Sequence, residues 1–468
     1  MFMKRYLLLL VITLPLFSGV KYLSLNQAIE ILKKDNLELK ISRFTEQMAA
    51  YEAEATKALH YGKLDLTVTG MRSNDAGNVF GFKLQSREAT FGDFGFSDFL
   101  NPLGQAIYGA SQGVPPQDMS ALLEVQPDDL NYPGARNHFQ TKISYLLPLY
   151  TGGKLTEYQH ITESLHRMSQ YDTKKLLNAK IYQVKKAYYD ISLVDNYIAN
   201  LSKIMKNITK LESIVRSMEI EGYAQDIDLL EVQARRAEAQ SMYNQAKLNR
   251  DLAYQFLSFL LNTNVTSIKK VNEMAKMPRI DLQALLSNNI DIQKAQLGLE
   301  ISKMAVEAEA GSFRPEVGAF GEYGSADDVF LNDFFDKDSY TVGVQAKWNL
   351  FNGGADKAKL EKAKVNRLLV EDQVRLAKKG IELQVKKLRT EVLSADGDIR
   401  SYQKQLNFAK RVYENYRARY KEGIVSISDV LIKQSKQLEV MLKLLTAKNK
   451  RNTKIFELDS ILNKGEKG

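Results

Sequence analysis

Cysteine is absent and histidine is rare in this sequence, and the spacing of the histidines supports no metal site. The chain has 468 residues and no cysteine, which excludes disulfides, thiolate ligands and cysteine nucleophiles. The positions of its four histidines do not converge on a metal: His60, His138, His160 and His166. Phosphate-binding glycine-rich loops, nucleophile elbows and His-Glu-x-x-His motifs are also missing. We therefore predict no metal site or other cofactor and find none of these catalytic motifs.

Charge and composition exclude two further classes. The net charge is +9, but basic and acidic residues are interleaved, as in Glu361-Lys362-Ala363-Lys364, and do not cluster with aromatic residues. This pattern is typical of solvated helix surfaces, so we predict no nucleic-acid binding. With 44% hydrophobic residues, the composition is also unlike that of a disordered chain.

The N-terminus has the order of a secretory leader. Lys4 and Arg5 precede an apolar run over residues 6–17, and the small residues Ser18 and Gly19 follow. We predict a signal peptide at 1–19. No later stretch reaches about 18 apolar residues, so the mature chain has no predicted transmembrane helix, and any part that crosses a membrane must do so as a barrel.

An internal repeat organises the rest of the chain. The segment at 147–153, Leu-Pro-Leu-Tyr-Thr-Gly-Gly, recurs 201 residues later at 348–354 as Trp-Asn-Leu-Phe-Asn-Gly-Gly. The same offset relates Glu221-Gly222 and Asp228 to Glu422-Gly423 and Asp429. The chain thus contains two copies of one unit.

Residue periodicity predicts the elements of each copy. Residues 24–60 and 281–311 are predicted helices, and period-two alternation predicts one pair of strands per copy. Long proline-free stretches with a seven-residue apolar repeat follow, which predicts coiled-coil hairpins that reverse at Gly222 and Gly423. The first predicted repeat spans 20–261, with strands at about 63–71 and 139–147 and a hairpin at about 152–261. A connector at 262–280 follows. The second repeat spans 281–461, with strands at about 316–324 and 340–348 and a hairpin at about 353–461, and a tail occupies 462–468.

The two strand pairs differ in what separates them. Residues 76–138 form a predicted long loop with six phenylalanines, whereas only about 325–339 separate the second pair. The long loop is predicted to be an extracellular cap, an interface within an oligomer or a disordered insert, and the sequence does not choose among these.

Four strands are too few to close a barrel, because about eight or more are needed. Several chains must therefore cooperate if the strands span a membrane. In the last strand, Tyr340, Val342 and Val344 alternate with polar residues, which suits one side in lipid and one in water, although an ordinary half-buried sheet gives the same pattern. The leader favours the barrel.

The order of these features resembles the TolC-type outer-membrane efflux channels of Gram-negative bacteria, from about residue 23 to 460. Leader, duplicated strand pairs, the Gly-Gly motifs, long hairpins and Glu-Gly-x-x-x-x-x-Asp turns carry the resemblance. It implies a mainly α fold with a β-barrel part: a homotrimer whose 12-stranded barrel, in contact with outer-membrane lipid, continues as an α-helical periplasmic tunnel. The implied function is a passive exit duct of a tripartite efflux or type I secretion system, and not an enzyme. The implied partners are a periplasmic adaptor and an inner-membrane pump.

The resemblance also assigns residues. In the family, an aspartate six residues after each turn glycine lines the pore constriction, which here matches Asp228 and Asp429, and the constriction tyrosine matches Tyr420. Six carboxylates in a trimer would attract cations. Each aspartate is equally suited to cap the helix that follows the turn. Two family positions differ here, as Val425 and Ile432, so the family's arginine-based opening mechanism does not transfer.

The hairpin tips match the family surface that meets the adaptor, and the matching residues are Gly222, Tyr223, Gly423, Ile424 and Val425. Nearby Arg216, Arg417 and Arg419 are either contacts or solvated charges. The alternatives to a duct are a coiled-coil adhesin or envelope spacer anchored by a small barrel, and a soluble coiled-coil scaffold. The sequence does not specify whether the cargo is a drug, a metal ion or a polypeptide.

Overall fold

The structure is a computed structural model that describes residues 19–113, 119–271 and 273–463. The predicted signal peptide, apart from Gly19, and most of the predicted tail lie outside these residues. The chain forms two compact units, and each unit takes segments from both sequence repeats. Among the described residues, the helical unit comprises those within 19–50, 164–300 and 368–463, and the sheet unit comprises those within 51–163 and 301–367. The repeats therefore intertwine and do not form separate domains.

The sheet unit is built on four antiparallel strands in the order β1-β2-β3-β4. Their bounds are β1 Lys63–Ser73, β2 Arg136–Thr151, β3 Glu316–Asp327 and β4 Asp338–Lys347. Each overlaps a strand that was expected from residue alternation. The two strand pairs meet where β2 pairs with β3, with Ile143 opposite Tyr323. Strands β1 and β4 are the edges of this sheet.

The register gives the sheet one polar and one apolar face. Thr67, Lys142 and Gly324 are cross-strand neighbours, and Lys142 Nζ lies 3.0 Å from Glu322 Oε1 on the same face. Because side chains alternate along a strand, the opposite face carries the remaining positions. These include Leu64, Leu66, Val68, Ile143, Tyr145, Val342 and Val344, all of which are exposed. We call the two sides the polar face and the apolar face.

The segment between β1 and β2, which was predicted to be a long loop, contains helices. These include α3 (Ala76–Gln85), α4 (Phe96–Ser111) and α5 (Asp128–Asn131). Asp75 caps α3 by accepting a hydrogen bond from Asn78 N at 3.0 Å. Val79 and Phe82 of α3 are buried, and this burial supplies the tertiary packing that a short helix needs. We call residues 74–135 the insert.

The helical unit contains most of two long hairpins. Helices α6 (Lys154–Ile220) and α7 (Asp226–Leu261) form the first hairpin. Helices α10 (Ala355–Lys421) and α11 (Ile427–Ile461) form the second. Members of the apolar seven-residue rows of α6 are almost completely buried, as expected for a core-facing seam: Val184, Ala187, Ile191, Leu201, Ile208 and Val215. None of the described helices combines the length and apolarity needed for a bilayer span.

Each of the two shorter predicted helices is broken by an asparagine. Residues 24–60 divide into α1 (Leu25–Asp35) and α2 (Leu37–Ala58), and residues 281–311 divide into α8 (Leu282–Asn288) and α9 (Ile290–Ala310). The breaks fall at Asn36 and Asn289, which are both 3% exposed.

The two asparagines make equivalent hydrogen bonds. Asn36 Nδ2 donates to Leu260 O at 2.8 Å, and Asn289 Nδ2 donates to Ile461 O at 3.0 Å. Each Oδ1 accepts from the backbone three residues ahead, Leu39 N or Ile292 N, and so caps the second helix of its pair. Leu260 and Ile461 are 201 residues apart. In both repeats, therefore, the asparagine at a helix break donates a hydrogen bond to the last turn of a hairpin.

Candidate site at the hairpin tips

Both hairpins reverse through the same backbone motif. Gly222 has φ +80° and Gly423 has φ +73°, in the left-handed region that favours glycine. Tyr223 N donates to Met218 O at 2.7 Å and Gly222 N donates to Glu219 O at 3.0 Å. Ile424 N and Gly423 N make the matching bonds to Arg419 O and Tyr420 O. These are two Schellman motifs, which end α6 and α10 and satisfy carbonyls that the helices leave free.

The two predicted constriction aspartates occupy the first turns of α7 and α11, where both act as helix-capping groups. Asp228 Oδ2 accepts a hydrogen bond from Gln225 N at 2.9 Å. Asp429 Oδ2 accepts from Ser426 N at 3.2 Å and from Ser426 Oγ at 2.7 Å, while Ser426 Oγ accepts from Asp429 N. The hydroxyl and backbone donors of Ser426 hold the pKa of Asp429 below its usual value. Both carboxylates are partly exposed, so capping leaves them accessible to solvent.

Tyr420 lies in the core shared by the two tips. It is 6% exposed and packs in one cluster with residues of both hairpins, including Val215, Leu229 and Ile427. Its hydroxyl has no hydrogen-bond partner in the described part of the chain. Burial, with a smaller contribution from the Asp228 carboxylate, raises the pKa of Tyr420. A buried phenol without a partner is costly within one chain, and an acceptor from outside would remove that cost.

The tips of the two hairpins lie side by side and present apolar side chains to solvent. Ser428 Oγ at the second tip donates to Glu231 Oε2 of the first hairpin at 2.6 Å. Tyr223 is 76% exposed and Ile424 is 56% exposed, whereas Val425 is partly buried against the shared core. The five residues expected at the adaptor surface are therefore brought together at one end of the helical unit.

The three arginines near the tips differ in their partners. Arg216 lies 3.5 Å from Glu212, Arg419 lies 6.0 Å from the centre of the Tyr416 ring, and Arg417 is partly buried. Arg216 and Arg419 are exposed, so both of the roles left open for these side chains remain predictions.

One cluster of carboxylates in the described residues has the spacing of a metal site. Oxygens of Glu88, Asp327 and Asp328 lie within 4.8 Å of one another. Lys337 Nζ lies 2.5 Å from Glu88 and 2.9 Å from Asp327, and Arg136 pairs with Glu88 and Asp328. These two side chains occupy the position that a cation would take, so the cluster is a salt-bridge network. Residue spacing alone could not reveal it, because its members come from the insert and from both strand pairs.

Three of the histidines make different kinds of contact. The ring of His138, on β2, stacks on Phe82 of α3 at a centroid distance of 4.1 Å. His160 lies 3.7 Å from Glu157, and His166 contacts Gln170 one turn away. The stack between His138 and Phe82 ties the insert to the sheet, and sequence reasoning gave no signal for it.

Comparison with known proteins finds a family model and relatives similar to parts of this chain. Residues 282–464 match the family model described as outer membrane efflux protein. The chain is 22% identical over 325 residues to toxin and drug export protein A from Aggregatibacter actinomycetemcomitans, which covers 65% of this chain and 68% of that protein.

Solved structures extend the likeness to nearly the whole chain. The CmeC outer membrane channel of Campylobacter jejuni superposes with a TM-score of 0.73 at 16% identity, covering 94% of this chain and 86% of that one. The outer membrane protein VceC of Vibrio cholerae gives a TM-score of 0.73 at 15% identity, covering 95% and 96%. The chain therefore has the mainly helical fold, with a small antiparallel sheet, of these channel structures, and its residues 282–464 match the family model of outer membrane efflux proteins.

Proposed function

We propose that three copies of this chain form the exit duct of a tripartite efflux or secretion system in the outer membrane of a Gram-negative bacterium. The observation that carries this proposal is the four-stranded sheet with two unpaired edges, a polar face and an exposed apolar face. Closure of three such sheets, edge to edge, makes a 12-stranded barrel with a wet lumen and a lipid-facing exterior. A lone soluble sheet would bury the apolar face instead.

Exposed apolar stripes on the helices support assembly with further copies. Side chains at heptad spacing on α2 are all more than half exposed: Leu37, Ile41, Phe44, Met48 and Tyr51. Helix α10 carries a second such stripe at Val365, Leu369, Leu376 and Leu383. Seams of this kind are covered by a neighbouring helix when coiled coils associate. In the trimer, helices of neighbouring chains cover these stripes and form the wall of a periplasmic tunnel.

The constriction of the tunnel lies at the hairpin tips. Asp228 and Asp429 of three chains place six carboxylates around the narrow end, where they favour cations and slow anions. Tyr420, whose buried hydroxyl lacks an intrachain partner, finds an acceptor there from a neighbouring copy. The capping role of each aspartate is retained, because a carboxylate can accept several hydrogen bonds.

The exposed tip residues meet a periplasmic adaptor, which links the duct to an inner-membrane pump. Tyr223 and Ile424 provide apolar anchors next to the left-handed turns at Gly222 and Gly423, and partly buried Val425 supports them. The duct is passive, and the pump supplies both energy and the choice of cargo.

Electron microscopy of the full chain, extracted in detergent from the outer-membrane fraction, tests the assembly. We expect three-fold particles with a detergent belt at one end and a hollow stalk. A monomer or a solid rod would remove the duct and favour the scaffold or the adhesin.

Single-channel recording in planar bilayers tests the constriction. Replacing both Asp228 and Asp429 with Ala is expected to lower cation preference and relieve block by divalent cations, because the carboxylate ring is lost. The matched control replaces Asp226, a first-turn carboxylate of α7 outside the duplicated motif, with Ala. Unchanged ion preference and unchanged cation block in the double variant would remove the gate assignment while leaving the duct intact.

A further inference from the structure

The insert packs on the face of the sheet that the proposed function assigns to the lumen. Phe82 of α3 stacks on His138, which alternates with Gln140 and Lys142 along β2 and therefore belongs to the polar face. Ser86, one turn after Phe82, accepts a hydrogen bond from Arg136 at 3.2 Å, and Arg136 lies on the same face. Val79 and Phe82 of α3 and Ser86, the residue that follows its last turn, are buried on this side of the helix. The helix thus covers polar-face residues and leaves the apolar face free.

Salt bridges fasten the insert across the same end of the sheet. Glu88, just after α3, pairs with Arg136 at the start of β2 and with Lys337 immediately before β4. Arg87, which precedes Glu88, donates a hydrogen bond to the backbone carbonyl of Asp338, the first residue of β4. The insert leaves the sheet at the end of edge strand β1, so these contacts carry it over β2 and β3 to the opposite edge.

We propose that the insert narrows the mouth of the duct: it folds inward over the end of the sheet where β1 ends and β2 begins, and it forms a lid at the exit. This inference rests on the proposed function, because it requires the polar face to line the lumen. A loop that projected outward would leave His138 and Arg136 exposed, whereas His138 is 2% exposed. The contacts are a small apolar stripe and a few ion pairs, which suits a lid that cargo can displace.

Reagent access from outside the cell tests the lid directly. The chain has no cysteine, so Thr341→Cys places a single thiol on the polar face of β4, opposite Glu322 and below the insert contacts. Val342→Cys, its neighbour on the apolar face, is the matched control for face assignment. Intact cells are treated with a small maleimide and with one that carries a long polyethylene glycol chain.

The lid predicts that the small reagent labels Thr341→Cys while the large one is excluded. Replacing residues 74–135 with Asn-Gly, a two-residue turn that joins the paired residues Ser73 and Arg136, is expected to admit the large reagent. Phe82→Ala keeps the insert and is expected to speed large-reagent labelling by about tenfold or more, since truncating a buried phenylalanine shifts an opening equilibrium at least that far. Phe91→Ala, at a phenylalanine that is 75% exposed, is the control and is expected to leave the rate unchanged.

The outcomes separate the lid from the duct. If the large reagent labels Thr341→Cys at the same rate with the insert intact, deleted or carrying Phe82→Ala, the lid is wrong and the duct stands. If neither reagent labels Thr341→Cys even after deletion of the insert, the polar face does not line an open lumen, and the proposed function fails together with the lid.

Discussion

The two repeats keep the same charge pair but use it in different surroundings. In the second repeat, Arg451 of α11 pairs with Asp396 of α10; in the first, Arg250 of α7 lies 3.8 Å from Asp195 of α6. Both members are displaced by 201 residues. Arg451 is 8% exposed and donates to Ala275 O at 2.6 Å, so the connector covers it.

The arginine of the first pair is more exposed than Arg451, and both charges of the first pair are shared with other groups. Asp195 also lies 3.6 Å from Lys270, and Arg250 is 3.1 Å from Asp251. Both repeats therefore contain the same charge pair, but the connector that covers Arg451 determines how much the second pair contributes to stability. A buried pair becomes costly to break, because removing one partner leaves an uncompensated charge.

Replacing each arginine in turn tests whether the two pairs contribute differently to stability. Arg451→Ala is expected to lower the free energy of unfolding by about 3 kcal/mol, because it strands the Asp396 carboxylate and Ala275 O. Arg250→Ala is expected to cost less, about 1 kcal/mol, because the Arg250 side chain is 31% exposed and Lys270 still lies 3.6 Å from the Asp195 carboxylate. Denaturant unfolding followed by helical circular dichroism measures both. Equal losses would show that the connector does not bury the second pair in solution.

This asymmetry marks the limit of what the sequence could predict. The 201-residue offset and the apolar heptads predicted the hairpins, their turns and the strand pairs, because each depends on a local period. Burial of Arg451 depends on a connector without a period of its own. The breaks at Asn36 and Asn289 were missed because a single polar residue inside an amphipathic pattern is typical of a helix surface. Their partners, Leu260 O and Ile461 O, are backbone groups distant in sequence.

At the tips, the sequence predicted the positions of Asp228 and Asp429 but not their immediate contacts. The duplicated Glu-Gly turn fixes where each aspartate stands along its helix. Whether a hydroxyl lies beside it depends on the residue three places earlier, which is Gln225 in one repeat and Ser426 in the other. The helical folding of the insert was missed for a similar reason, since its support comes from side chains of β2 and the start of β4.

The helix breaks offer a test in which the two repeats are expected to agree. Asn36→Ala and Asn289→Ala each remove a cap and leave a buried carbonyl without its donor, which is expected to cost about 2 kcal/mol in either repeat. The control is Asn244→Ala, at an exposed asparagine on α7 whose side chain accepts a hydrogen bond from Gln240 one turn away, with an expected change within about 0.5 kcal/mol. A large loss at one break and none at the other would contradict a shared device.

The smallest expected difference lies between the two tips, and it depends on pH. The pKa of Asp429 is lowered in the folded chain by hydrogen bonds from the Ser426 hydroxyl and backbone. The stabilisation of the first turn of α11 is therefore complete above the ordinary aspartate pKa of 3.8 and is lost as pH falls through the lower folded value. Amide hydrogen exchange at residues 426–430, corrected for intrinsic rates, is expected to show reduced protection in acid. Asp429→Asn is expected to abolish that change.

The first tip supplies the counterpart, since Gln225 offers Asp228 a backbone donor at 2.9 Å but no hydroxyl. Gln225→Ser gives this tip the side chain that the second already has. Serine is among the preferred helix-capping residues, so protection of amides 226–230 is expected to rise toward that of the second tip. The reciprocal change, Ser426→Gln, is expected to lower protection at the second tip to the level of the first. If the exchange rates do not follow the swapped residues, the tips differ through packing against the shared core, and the serine is not the cause.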